Sequence, residues 1–268
     1  MRGEMLKAML WKEWRETRWK WLAFAVAFHI PLIIAGLVVA FKPAARFDLM
    51  AFNDTVVERV LQGTLVVQTI FLISAGLFLL AFYAVGAVGG EIENRSIFFL
   101  FERPVHRRQI LAVKYAVGAT QTVACVALSI VTTLALVYLV TAGAASGVTL
   151  AGSWGAFASV MDDALRGALW TGLVALMVFS ATFLFSVLFE KWWIAVIAGA
   201  VALIAMFYYF GADLFNLIVS QALRNSNGGN ANLDVYGRLD PYPMLIMLIT
   251  ATVLYFTAQY FFARKEMK

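Results

Sequence analysis

Residues 90–114 read GEIENRSIFFLFERPVHRRQILAVK, and long apolar runs flank them on both sides. The segment holds eight charged residues, although only 14% of the whole chain is charged. One charge at the centre of a bilayer costs about 2.5–3.5 kcal/mol, so Glu91, Glu93 and Arg95 together would cost on the order of 8–10 kcal/mol. We therefore expect this segment to lie outside the hydrocarbon, on a surface where a partner can bind it.

The rest of the composition is that of a helical membrane protein. The chain is 62% hydrophobic and only 14% charged, whereas about 25% of the residues of a soluble domain are charged. Apolar runs close to the ~20 residues needed to cross a bilayer recur along it. We predict an all-α polytopic fold in which residues 1–268 form a single domain with six spans. The predicted spans cover residues 21–41, 63–90, 109–142, 166–189, 192–212 and 241–263.

The positions of the basic residues predict the orientation of these spans. With both termini inside, 15 Lys and Arg residues lie on the inner side and 6 on the outer side. The positive-inside rule then puts both termini and the 91–108 loop in the cytoplasm, and the 213–240 loop outside. We expect a multi-pass protein of the plasma (inner) membrane, whose net charge of +5 reflects orientation and not nucleic-acid binding. The charges of residues 1–20 argue against a cleavable signal peptide.

Residues 1–20 have the pattern of an amphipathic helix that lies in the membrane interface. One face carries apolar side chains at helical spacing, and the other carries basic ones. The apolar face continues into the first span and is formed by Leu6, Leu10, Trp14, Thr17 and Trp21. The predicted interfacial residues are Leu6, Leu10 and Trp14 on this face, with Arg15 and Arg18 on the basic side. The alternative is an ordinary positively charged flank of the first span.

The 91–108 loop has features beyond positive charge. A simple positive-inside loop explains its arginines, but not the preceding acids or the apolar patch at residues 97–101. That patch is too short to span a bilayer, and Pro104 is suited to the first turn of a following helix. We interpret the loop as a docking surface.

Residues 91–114 also follow the pattern E-x-E-N-x-[ST]-(apolar)-x-x-R-P-V-x-R-R-x-I-L-x-x-K. This pattern resembles the first cytoplasmic loop of the permease subunits of type-2 ABC exporters. The family more often has Gly-Thr at the position of Arg95-Ser96. The resemblance implies an N-terminal elbow helix, six spans, and a coupling helix between spans 2 and 3 that docks on a separate ATP-binding subunit.

The same resemblance implies the partners and the docking residues. The partners would be a cytosolic ABC ATP-binding subunit, a second permease copy in a homodimer or heterodimer, and membrane lipids. The chain contains no G-x-x-x-x-G-K-[ST] loop, so ATP and Mg would bind the partner ATPase. We expect no enzymatic activity, catalytic residue, metal or cofactor in this chain. The implied docking residues are Glu91, Glu93, Asn94, Arg95, Arg103, Pro104, Arg107, Arg108, Glu190 and Lys191.

Two other classes of function remain open. One is a membrane-embedded enzyme acting on lipid or prenyl substrates, which would need a His or paired acids facing a cavity. The other is a membrane anchor that recruits a cytosolic protein without transport. His29 inside the first span is either functional or a neutral histidine bonded to a neighbouring helix. Polar residues within the predicted spans could line a pathway or form interhelical hydrogen bonds: Gln68, Thr69, Ser74, Gln121, Ser129, Ser180 and Ser186.

Overall fold

The computed structural model describes residues 2–33, 54–94, 106–144, 154–189, 191–206, 208 and 241–264. All regular secondary structure in these ranges is helical, which confirms the predicted all-α class for this part of the chain. In chain order the helices are α1 (Arg2–Ala27), α2 (Asp54–Phe71), α3 (Leu77–Glu93), α4 (Arg107–Ala144), α5 (Trp154–Leu188), α6 (Trp192–Met206) and α7 (Pro241–Arg264).

Four of the six predicted spans are confirmed as helices that are long and apolar enough to cross a membrane. They are Val60–Glu93, Arg107–Val140, Val160–Leu188 and Met244–Arg264. The predicted fifth span corresponds to α6, whose 15 residues are fewer than the ~20 that a crossing requires. The predicted first span overlaps the end of α1 and a helical turn at 30–33, and its remainder lies outside the described residues, as does the 213–240 loop.

Helices α2 and α3 are joined by a π-helical segment, Leu72–Gly76. The backbone N–H of Leu77 donates to the carbonyl of Leu72, five residues earlier. A single π turn of this kind inserts an extra residue into a helix without ending it. The helical span Val60–Glu93 is therefore about 51 Å long at 1.5 Å per residue. Since the hydrocarbon core is about 30 Å thick, this helix tilts or projects beyond it.

Helix α5 is the axis of the bundle. It contacts α2, α3, α4, α6 and α7, and 78% of its most apolar stretch is buried. The corresponding stretch of α7 is only 22% buried, although α7 packs along α5. The large side chains of Phe179 and Phe183 on α5 have no solvent exposure and fill the centre of the bundle.

Helix α1 differs from the expected elbow. It runs without a break through the predicted boundary at residue 20, so the described structure has no interfacial helix separate from the first span. On the predicted interfacial face Thr17 is buried, at 8% exposed, whereas Leu10 and Trp14 are 37% and 42% exposed. Glu13, which was not assigned to this face, is 7% exposed. Arg15 and Arg18 are exposed, as expected, and the side chain of Leu6 is outside the described part.

Candidate functional site

A buried cluster of three charges lies where the predicted coupling loop begins. Lys114 of α4 is 2% exposed, and its Nζ lies 2.9 Å from both carboxylate oxygens of Glu13. The same Nζ lies 2.6 Å from Oε1 of Glu91 at the end of α3. We call Glu13, Glu91 and Lys114 the charge triad. It joins α1, α3 and α4 through one ammonium group.

The charge triad carries one net negative charge when all three groups are ionised. Burial raises the pKa of the Glu13 carboxyl. The Lys114 ammonium opposes this rise, and the Glu91 carboxylate adds to it. A buried ion pair repays its desolvation only with short, well-directed hydrogen bonds, and the triad has three of them. Its three helices are therefore held together through their charges at this point.

The second acid of the loop motif makes a different contact. A carboxylate oxygen of Glu93 lies 3.4 Å from the backbone nitrogen of Trp192, which can donate to it at the start of α6. A negative charge is favoured at a helix N-terminus, where backbone N–H groups have no partner within the helix. Close packing accompanies this contact, because a Cβ on Gly89 would lie 3.6 Å from Ser186 and 3.8 Å from the Trp192 backbone. The end of α3 is thus tied to α6 as well as to α1 and α4.

The basic residues of the loop lie at the start of α4. The carbonyl of His106 accepts the first backbone hydrogen bonds of this helix, and Arg107 and Arg108 follow in its exposed first turn. Positive charge at a helix N-terminus is unfavourable for the helix itself. The two arginines therefore add positive charge to this exposed end of α4.

The structure describes six of the ten predicted docking residues. Asn94 is exposed and ends α3, with its backbone N–H bonded to the carbonyl of Gly90. Lys191 is exposed at the start of α6, next to the ring of Trp193. The docking role of the set stays a prediction. The predicted residues that lie outside the described ranges are Arg95, Arg103, Pro104 and Glu190.

A line of polar contacts continues from the charge triad along α4. Gln121 donates to the Thr17 hydroxyl at 3.0 Å, and its backbone carbonyl accepts from the Trp21 indole at 3.1 Å. Tyr83 donates to the side-chain oxygen of Gln121. Two turns further, Ser129 accepts from the Gln68 amide at 2.6 Å. These buried side chains make interhelical hydrogen bonds, which is the second of the two interpretations that the sequence left open.

His29 occupies the far end of this line. Its Nδ1 lies 2.7 Å from the carbonyl of Ala25 and its Nε2 lies 2.5 Å from the Thr132 hydroxyl. The predicted hydrogen bond to a neighbouring helix is therefore confirmed. From Lys114 to Thr132 the line extends about 27 Å along α4, close to the thickness of the hydrocarbon core.

The partner of Glu91 was not foreseen from the sequence, although a signal was present. Lys114 falls inside the predicted third span, and a lysine within a span requires a paired acid. Glu13 and Glu91 are 101 and 23 residues away in the chain, so only the folded structure identifies them as the pair.

No model of a protein family matches this chain, and no curated protein sequence matches it either. Function is therefore inferred from the chain's own residues and their geometry.

Proposed function

We propose that this chain is the permease subunit of an ATP-driven exporter of the inner membrane. Two copies, or one copy with a related permease, form the pathway. A cytosolic ATPase docks on the 91–108 loop. The observation that carries the proposal is the anchoring of this loop's leading acids, because Glu91 is bonded to Lys114 and Glu93 lies against the start of α6.

The anchoring supports a role in force transmission. A surface loop that only recruited a partner would need no rigid attachment to the bundle. Here a displacement of the end of α3 pulls on α1 and α4 through the charge triad, and on α6 through Glu93. When ATP binding closes the ATPase dimer and pushes on the loop, these four helices move together. Such a coupled movement is what opens and closes a pathway between two permeases.

The enzyme alternative has weaker support. It needs an ionisable group that faces a cavity. In the one group of three close carboxylates among the described residues, Glu13 and Glu91 bind the Lys114 ammonium, and Glu16 pairs with Lys12. His29 has both ring nitrogens engaged by protein atoms. The sequence carries no hydrolase motif of the H-E-x-x-H or G-x-S-x-G type.

The proposal predicts that Arg108→Glu weakens ATPase binding. Arg108 is exposed in the first turn of α4, and a like charge placed against an anionic partner should lower the affinity about tenfold. The measurement is the affinity of the purified ATP-binding subunit for the permease in lipid nanodiscs, together with ATP hydrolysis by the complex. The permease itself should remain folded, because no buried contact is removed.

Arg166→Glu is the matched control for this test. Arg166 is half exposed and pairs with Asp162 at 2.9 Å on α5, near the end of the bundle remote from the loop. Its reversal should leave both affinity and hydrolysis unchanged. Failure to recover any P-loop ATPase with the native chain, or equal binding by Arg108→Glu and wild type, would rule against the proposal. Binding without any effect of the permease on hydrolysis would favour the anchor alternative.

A further inference from the structure

A cavity of about 360 Å³ opens between the helical turn at 30–33, α2 and α4, at the end of the bundle remote from the charge triad. Its volume is at the lower end of the range for small-molecule sites. The walls are largely apolar, and include Pro31, Val60, Val67 and Val137. Gln68, which lines the cavity, lies about 35 Å along the helix from Glu91. The cavity is therefore separate from the proposed docking surface.

Two polar side chains in the cavity wall have unused hydrogen-bonding capacity. Gln68 and Thr133 are each 2% exposed, and both line the cavity. The Gln68 amide nitrogen donates to Ser129 and to the carbonyl of Phe28. Its Oε1, like the hydroxyl oxygen of Thr133, has no hydrogen-bond partner among the described residues. At membrane depth a buried polar atom without a partner is costly, since lipid offers none.

These observations define what would fit the cavity. Apolar walls favour a hydrocarbon chain over water, which needs two to four polar partners. Oε1 of Gln68 is an acceptor, and the Thr133 hydroxyl can both donate and accept, so a single ligand hydroxyl has the chemistry to pair with both. We propose that the cavity binds one hydrocarbon chain ending in a hydroxyl group, with that hydroxyl between Gln68 and Thr133. The inference does not depend on the proposed function.

Gly63 provides a variant that fills the cavity without a steric clash. It lies in the cavity wall, and a Cβ at this position would meet no atom within 4 Å. Gly63→Leu should therefore occupy the cavity and leave the helix intact. Gly86→Leu is the matched control, because Gly86 is an exposed helical glycine of α3 whose Cβ would also meet no atom.

The test is photolabelling of the full chain in phosphatidylcholine nanodiscs with a diazirine derivative of dodecanol. We expect label on peptides from α2 and α4, loss of most of that label in Gly63→Leu, and wild-type labelling in Gly86→Leu. If Gly63→Leu does not fold, Val67→Phe narrows the same cavity from the α2 side. Label spread evenly over lipid-facing helices such as α7, or unchanged by the filling variant, would overturn the proposal.

Competition distinguishes a hydroxyl-specific site from a general hydrocarbon groove. At equal membrane concentrations, unlabelled dodecanol should compete about fivefold better than dodecane, which is the ratio expected of one neutral hydrogen bond. Thr133→Val removes the hydroxyl at nearly constant shape and should reduce this preference while the chain still binds, because only Oε1 of Gln68 is left to pair with the ligand hydroxyl. Equal competition in the wild type, or an unchanged preference in Thr133→Val, would contradict the assigned geometry.

Discussion

Lys114→Met should lower the free energy of unfolding by about 3–5 kcal/mol, the cost of breaking a buried ion pair from one side. Lys114 is 2% exposed and contacts both Glu13 and Glu91. Methionine has a similar length to lysine but no charge, so it leaves two carboxylates close together without a counter-charge. The measurement is reversible unfolding by SDS in mixed micelles, with helicity as the signal.

The pH dependence of this variant provides a second, independent check. Burial already raises the pKa of Glu13 in the wild type, and loss of the Lys114 ammonium should raise it further. A carboxyl whose pKa is higher in the folded than in the unfolded state binds protons on folding, so its destabilising effect grows as the pH rises through the folded-state pKa. Lys114→Met should therefore be less destabilised near pH 5 than near pH 8, relative to the wild type.

Two controls separate the triad from charge effects in general. Lys12→Met removes a surface pair with Glu16, in which the atoms are 3.7 Å apart and both side chains are nearly half exposed. This change should cost less than about 1 kcal/mol. Adding Glu13→Gln and Glu91→Gln to Lys114→Met should restore most of the lost stability, because the uncompensated charge is gone. A loss in Lys114→Met no larger than that in Lys12→Met would mean that the triad contributes little.

The spans could be predicted from the sequence because each depends only on the length and hydropathy of one continuous stretch of residues. Length and hydropathy alone located α4 to within two residues at each described end. They also located α5 and the long α2–α3 rod, but placed the starts at 166 and 63 instead of at Trp154 and Asp54. The predicted fifth span, 192–212, begins with α6 (Trp192–Met206), and most of its last six residues lie outside the described ranges. The π-helical segment at Leu72–Gly76 has no sequence signature of its own, since its five residues are ordinary helix formers or small side chains.

The side of α1 that packs against the bundle could not be predicted from its apolar pattern. Of the predicted interfacial face, Thr17 is buried while Leu10 and Trp14 are exposed, and Glu13, which was not assigned to that face, is buried as well. In a membrane protein an apolar side chain can face lipid at no cost, so hydrophobicity does not identify the packed face. A buried charged side chain does identify the packed face, because it must lie against a group of opposite charge. Lys114 thus determines which side of α1 turns inward.

The second large effect is expected at the contact between α4 and α5. A Cβ on Gly118 would lie 2.5 Å from Cζ and 2.9 Å from Cε2 of Phe179. Phe179 has no free space to retreat into, since it is fully buried with Tyr83, Tyr115 and Phe183 around its ring. Gly118→Leu should therefore destabilise the fold by about 3 kcal/mol, the upper end of the usual cost of overpacking. Gly86→Leu, where the space is open, should be neutral or slightly stabilising through helix propensity.

A compensating substitution shows whether the clash itself is the cause. Phe179→Ala alone should cost about 3–5 kcal/mol, because it leaves a cavity among the aromatic side chains that α5 buries. In the double variant Gly118→Leu with Phe179→Ala, the new side chain enters that cavity, so the total loss should be smaller than the sum of the two by about 1–3 kcal/mol. The measurement is a double-mutant cycle of unfolding free energies. Strict additivity would show that Gly118 is required for a reason other than the close approach of Phe179, such as backbone flexibility of α4. A coupling of that size would show that Gly118 sets the distance between α4 and α5, one helical turn from Lys114 of the charge triad.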